Sequence, residues 1–341
     1  SLLRRFPLEA RVSPQFKEIE DRAAELLRED IVDEMAEGAQ AHLVADLAAH
    51  YTSESFSSLT KAITGKREMF TDLPEELNAL FDLPQDYDAD DLPAVVLDKS
   101  VASWLPDAID VLRGQSATMV KLADVLDAID VTAPTHADLA ALKAQFLFQS
   151  KGIYRAEAKL KSVPTKKAQD ALGTTLLAFQ DMMERTALAH DLQLRARNVA
   201  RTRALHRFAV PFIARYEAEK QRRGWLDFDD LILRARALLN DPKVAAWVLY
   251  RIDGGIDHIL VDEAQDTSPR QWQVITSLAE EITAGLGDGR ARSIVVVGDP
   301  KQSIYSFQGA DAKAFDDMAR SFDDRLANGP SPLQRHELAH S

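Results

Sequence analysis

Two short apolar runs, Ile259-Leu260-Val261 and Ile294-Val295-Val296-Val297, each close on a polar turn, and they limit most strongly what this chain can fold into. Runs of this length suit strands buried on both faces, as in a parallel sheet covered by helices. The predicted strands are 257–262 and 292–298. Residues 269–283 between them have helical spacing. The expected unit is strand, helix, strand with the strands parallel, because a parallel pair needs a crossover of about a dozen residues or more. An α/β layer is thus expected in the last third of the chain.

Upstream the pattern is almost wholly helical. Across 15–51, Phe16, Ile19, Ala23, Leu26, Leu27, Leu43 and Leu47 recur at threes and fours, which predicts two amphipathic helices. Pro74, Pro84, Pro93 and Pro106 divide 71–110 into short helices and extended turns. Helical spacing returns over 117–129, and Thr135 stands where the N-cap of a helix over 136–148 belongs. The lysine-rich stretch 151–167 predicts an exposed loop or hairpin. A long helical pattern then runs from Ala168 towards Arg223, with Pro211 expected to kink or interrupt it.

Composition excludes several classes. With 341 residues a sizeable core, in two or three domains, is expected. Cysteine is absent, which removes disulfides, thiolate zinc sites and a cysteine nucleophile and fits a reducing cytosol. No run approaches a membrane span and the N-terminus has no secretory pattern, so a soluble, cytoplasmic protein is expected. The net charge of −13 argues against a chain coated in positive potential, but it hides an asymmetry. Residues 71–110 carry eleven acids against Lys99 alone, whereas 195–224 carry nine Lys or Arg against Glu217 and Glu219. Arg195, Arg197, Arg201, Arg203 and Arg207 in that basic strip suit the tracking of phosphates, the plainer alternative being a solvated helix face. The eight histidines show no ligand spacing, and the four tryptophans read as packing residues.

The chemistry concentrates where the strands end. In Ile259-Leu260-Val261-Asp262-Glu263-Ala264-Gln265-Asp266, adjacent carboxylates fall at the carboxyl edge of the sheet, where open α/β folds bind ligands. One carboxylate suits a hydrated magnesium ion, and its neighbour suits the orientation and deprotonation of an attacking water. A strand ending in a solvated acidic turn is the alternative. The second strand runs into Gly298-Asp299-Pro300-Lys301-Gln302-Ser303-Ile304-Tyr305-Ser306-Phe307-Gln308, which would bring a neutral amide, Gln302, near the acids. Tyr305 and Phe307 offer faces on which bases could stack.

These two strings resemble motifs II and III of the UvrD/Rep-type superfamily 1 helicases and, more narrowly, the AddA helicase-nuclease subunits of double-strand break repair. Residues 1–6 resemble the segment after motif Ia, 226–231 the start of the helix before motif II, and 146–167 the AddA-type helical insertion. The resemblance implies an α/β fold with a large all-helical insertion: a partial RecA-like (P-loop NTPase) domain from 1–18 and 216–341, with a helical subdomain over 19–215. It implies ATP and Mg2+ as cofactors, with Asp262 as the magnesium ligand, Glu263 as the catalytic base and Gln302 as the γ-phosphate sensor. Gln265 and Asp266 would support that geometry. Tyr305, Phe307 and, less directly, Phe228 would touch single-stranded DNA, with Arg197 and Arg201 on the track beside the duplex. The implied partner is AddB-like. Many relatives carry arginines in the turn after the motif III aromatic, where this chain has Ser306 and Gln308.

A Gly-x-x-x-x-Gly-Lys-[Ser/Thr] loop occurs nowhere; Gly65-Lys66 is followed by Arg67 and preceded at the required distance by Thr60. The resemblance puts that loop upstream of Ser1 and the second RecA-like domain downstream of Ser341. The expectation is a fragment that starts in mid-domain and hydrolyses no ATP alone. The rival expectation is a non-hydrolysing DNA-binding or assembly module.

Overall fold

The structure, a computed structural model, describes residues 2–52, 55–253, 256–283, 293–299, 312–326 and 333–336. It is mostly helical. Six strands occur among the described residues: β1 (Lys17–Glu18), β2 (Leu147–Ser150), β3 (Ile153–Ala158), β4 (Trp225–Leu226), β5 (His258–Val261) and β6 (Ser293–Val296). They form three two-stranded sheets, with β1–β4 and β5–β6 parallel and β2–β3 antiparallel. The chain divides into two compact units, one made of 1–34, 55–65 and 212–341, the other of 35–54 and 66–211.

In the first unit, the Pro269–Thr283 helix connects β5 to β6, as the spacing predicts. Their register runs from His258 opposite Ser293 to Val261 opposite Val296. Val261, Ala264, Trp272, Ala279 and Phe322 close one core against this sheet. A second core joins Leu3, Phe6, Ala10 and Phe16 to Leu238, Leu239, Val248 and Ile252, so the N-terminal residues fold with segments far along the chain. The β1–β4 pair is two residues long and has no apolar run of its own, so periodicity could not have found it.

The second unit buries Leu105, Leu112, Leu122, Leu126, Leu142, Phe146, Phe179 and Met183 in one cluster. Thr135 caps the His136–Phe146 helix through a reciprocal capping box with Asp138. Two prolines behave differently from expectation. Pro106 lies inside the Val101–Arg113 helix, and the Thr175–Arg223 helix continues through Pro211. Phe208, Ala209 and Phe212 are fully buried on both sides of Pro211, and that packing outweighs the one backbone hydrogen bond a proline removes. Residues 147–158 form an antiparallel hairpin, which starts four residues before the lysine-rich stretch 151–167 where a loop or hairpin is expected. Of the tryptophans, Trp272 is buried, whereas Trp247 is half exposed and meets Phe6 edge-on, with ring centroids 5.6 Å apart. No helix among the described residues is long and apolar enough to cross a membrane.

Candidate nucleotide site

The site grows from the carboxyl ends of β5 and β6. Pairing continues past the strands: the Val297 N–H donates to the Val261 carbonyl at 2.8 Å, and the Ala264 N–H to the Val297 carbonyl at 2.9 Å. This holds the turn after β5 against the turn after β6. Asp262 and Glu263 sit in the first turn, and both side chains are exposed. Glu263 has φ +51 and ψ +44, left-handed backbone rare for a residue with a Cβ. Its own N–H donates to Asp262 Oδ1 at 3.0 Å.

Gln265 is the buried centre of the arrangement. Its Nε2 donates to Glu263 Oε2 at 2.6 Å, and its Oε1 accepts the Asp299 N–H at 2.9 Å. The amide thus ties the candidate base to the turn after β6, and the two partners settle which way it points. Gly298 makes room for it: a Cβ there would lie 2.8 Å from Gln265 Oε1 and 3.1 Å from the Ala264 Cβ. Gly298→Ala should lower the urea unfolding free energy by about 1–3 kcal/mol, the usual cost of overpacking. An unchanged midpoint would mean that the two turns separate easily.

These residues fit a magnesium nucleotide on their own chemistry. Asp262 Oδ2 accepts no hydrogen bond among the described residues, and Asp266 Oδ1 is buried without a partner. Magnesium keeps most of its waters and takes one or two carboxylates, so an exposed Asp-Glu edge is the donor set it uses. No cluster of three or more His, Asp or Glu able to hold a metal occurs among the described residues. Gln302, Tyr305 and Phe307, with Ser306 and Gln308, lie outside the described residues.

Phe228 is placed by a separate device. Gly224, at φ +64, ends the Thr175–Arg223 helix, and two residues of β4 lead to Asp227, which caps the Phe228–Asn240 helix in a box with Asp230. Lys220, 1% exposed, reaches into that box. Its Nζ lies 2.6 Å from Asp230 Oδ2, 2.8 Å from Asp227 Oδ2 and 2.9 Å from Glu217 Oε1, and 4.6 Å from the Tyr216 ring centroid. Phe228, first residue of the capped helix, projects outward with 61% of its surface exposed. Sequence patterning passes over Lys220, because Glu-Lys-Gln-Arg-Arg looks like a solvated face until its carboxylate partners are seen.

Of the basic strip, Arg195 is held by Asp191 at 2.7 Å and by Asp82 at 3.4 Å. Arg201 lies over the Tyr51 ring, 4.6 Å from its centroid. Arg197 and Arg207 are exposed and make no ion pair among the described residues. Near the end of the same helix, hydrogen bonds from Arg222 and Arg223 hold the Glu219 carboxyl down to about 2.

Residues 16–323 match the model of the UvrD/REP helicase N-terminal domain, and the chain belongs to that family. Among similar proteins are the RecB subunit of the RecBCD enzyme of Mycolicibacterium smegmatis, 37% identical over 123 residues, and the A subunit of the ATP-dependent helicase/nuclease of Levilactobacillus brevis, 33% identical over 153 residues. The ATP-dependent DNA helicase UvrD1 of Mycobacterium tuberculosis is 35% identical over 111 residues. The matches cover 36%, 45% and 32% of this chain, and 10%, 11% and 14% of those proteins' own lengths.

Proposed function

We propose that this chain is part of an AddA-like, ATP-driven DNA helicase that moves on single-stranded DNA in double-strand break repair and recombination. The observation that carries the reading is the Asp262-Glu263 pair at the carboxyl edge of a parallel strand pair, with Glu263 tied through Gln265 to the turn after β6. Family membership supports the same reading. In this proposal 1–18 and 216–341 form a partial RecA-like domain and 19–215 a helical subdomain; the partner is AddB-like and the location is the cytoplasm.

Asp262 would hold Mg2+, in part through water. The ion, when bound with ATP, supplies charge neutralisation on the phosphates. Glu263 orients the water that attacks the γ-phosphate and accepts its proton, in the ordinary role of a general base. Gln302 would sense the γ-phosphate, and Tyr305, Phe307 and Phe228 would grip bases. The 341 residues hold no phosphate-binding loop of the Gly-Lys-[Ser/Thr] kind, so turnover is expected only where such a loop is supplied. The test is DNA-stimulated ATP hydrolysis with and without the Glu263 carboxylate.

The arginine strip has its own test. Reversing the charge at Arg197 and Arg201 should weaken single-stranded DNA binding and reduce the slope of log K against log salt by about 0.7 for each phosphate that is no longer neutralised. A slope equal to wild type would leave the strip as a solvated helix face.

A further inference from the structure

In the first unit, the segment 4–12 is fastened to two helices. Phe6 and Ala10 share a buried core with Leu238 and Leu239, at the end of the Phe228–Asn240 helix, and with Val248 and Ile252 of the Ala245–Asp253 helix. Phe6 meets Trp247, and Arg5 Nη2 donates to the Arg251 carbonyl at 3.1 Å. The joined stretches are cationic. Residues 4–12 and 234–251 hold seven arginines or lysines against Glu9 and Asp241, in a chain whose acids outnumber its bases by 54 to 41.

Arg11, Arg236, Asn240, Asp241 and Lys243 line an open hollow of about 570 Å3. That is room for several side chains, not for one ion. Asp241 Oδ1 is already taken by the Lys243 backbone N–H at 2.9 Å. Arg11 and Lys243 are exposed, and neither side chain has an ion pair or hydrogen bond among the described residues. Arg11 also stands at φ +54, backbone that glycine adopts freely and a residue with a Cβ adopts at a cost. The hollow thus keeps a guanidinium where the backbone alone favours glycine.

The surroundings narrow the anion. Leu8, three residues before Arg11, is 80% exposed; Trp247, four residues after Lys243, is 48% exposed, and Tyr250 is 77% exposed. A free phosphate would leave this apolar surface in water. A nucleic-acid strand asks for cations in a groove that tracks its backbone, whereas these converge on one hollow. Exposed Trp, Tyr and Arg side by side are the residue types that carry binding energy between proteins.

We propose that this surface docks an acidic segment of a partner protein. Its carboxylates enter the hollow at Arg11, Arg236 and Lys243, and its apolar side chains cover Leu8, Trp247 and Tyr250. The hollow lies at the last residue of the Phe228–Asn240 helix and Phe228 is the first, about 20 Å away at the helical rise, so the docked segment leaves Phe228 uncovered.

The experiment titrates a short labelled peptide that alternates Asp with Leu and Phe with the chain, read by fluorescence anisotropy. It compares R11G/K243Q with K17Q/K61Q, which removes the same charge from exposed positions elsewhere in the unit. Two exposed ion pairs, each worth up to about fivefold, predict a rise in Kd on the order of tenfold for R11G/K243Q, with K17Q/K61Q close to wild type. Y250S should weaken binding by about tenfold as well. R11G/K243Q should keep the wild-type Tm, since glycine accepts φ +54, which separates lost contacts from lost fold. Absence of saturable binding to the wild-type chain overturns the proposal, as do equal losses in both double variants or in neither. So does a peptide with Ser in place of Leu and Phe that binds as tightly. A single-stranded oligonucleotide that binds more tightly than the peptide and loses affinity in R11G/K243Q would make this a nucleic-acid contact and overturn it too.

Discussion

Glu263→Gln, placed in a protein that carries this chain together with a phosphate-binding loop, should lower DNA-stimulated ATP turnover by about 10²–10⁴-fold, the usual contribution of a general base. ATP affinity should change little. The substitution keeps size and shape, and its amide oxygen can still accept the 2.6 Å hydrogen bond from Gln265 Nε2, so the turn and its tie to Asp299 survive. What disappears is the ability to take a proton from water. Steady-state turnover and nucleotide binding measured on the same preparation separate the two effects. A rate within a few fold of wild type would remove the enzymatic reading and favour a binding or assembly module.

Lys220→Met should damage stability more than any other substitution proposed for this chain. It leaves Glu217, Asp227 and Asp230 facing one another without the cation that lies within 2.9 Å of all three. Breaking a buried ion pair by removing one partner costs about 3–5 kcal/mol. For a unit of this size that corresponds to a fall in Tm of about 10 °C. The loss should also blur the start of the Phe228–Asn240 helix, since Asp227 and Asp230 form its capping box. Arg222→Met, two residues away on an exposed side chain, is the control and should melt with wild type. Thermal unfolding of the two variants side by side decides the matter, and equal Tm values would show that the cage contributes nothing.

What could be read from residues alone follows from how local each signal is. β5, β6 and the Pro269–Thr283 helix announce themselves by apolar runs and by helical spacing, and the Thr135 cap by a single residue type at a helix start. The β1–β4 pair was invisible because two residues carry no periodicity and the partners stand far apart in the chain. Pro211 misled because local backbone chemistry argues for a break, while the burial of Phe208 and Phe212 that sustains the helix is a tertiary fact. At the site, the acids were legible and the link between them and β6 was not. Gln265 looked like a supporting residue, but its two-ended role and the need for Gly298 emerge only when both turns are side by side.

The left-handed backbone at Glu263 has a consequence for timing. A side-chain-bearing residue held at φ +51 costs about 1–2 kcal/mol, which glycine would avoid, yet glycine has no carboxylate to offer. If Glu263 is the base proposed above, the position keeps both the strain and the acid. Because folding has already met that cost, the backbone at Glu263 is set in advance, and in the proposed role of general base little reorganisation would be left for the deprotonation of water.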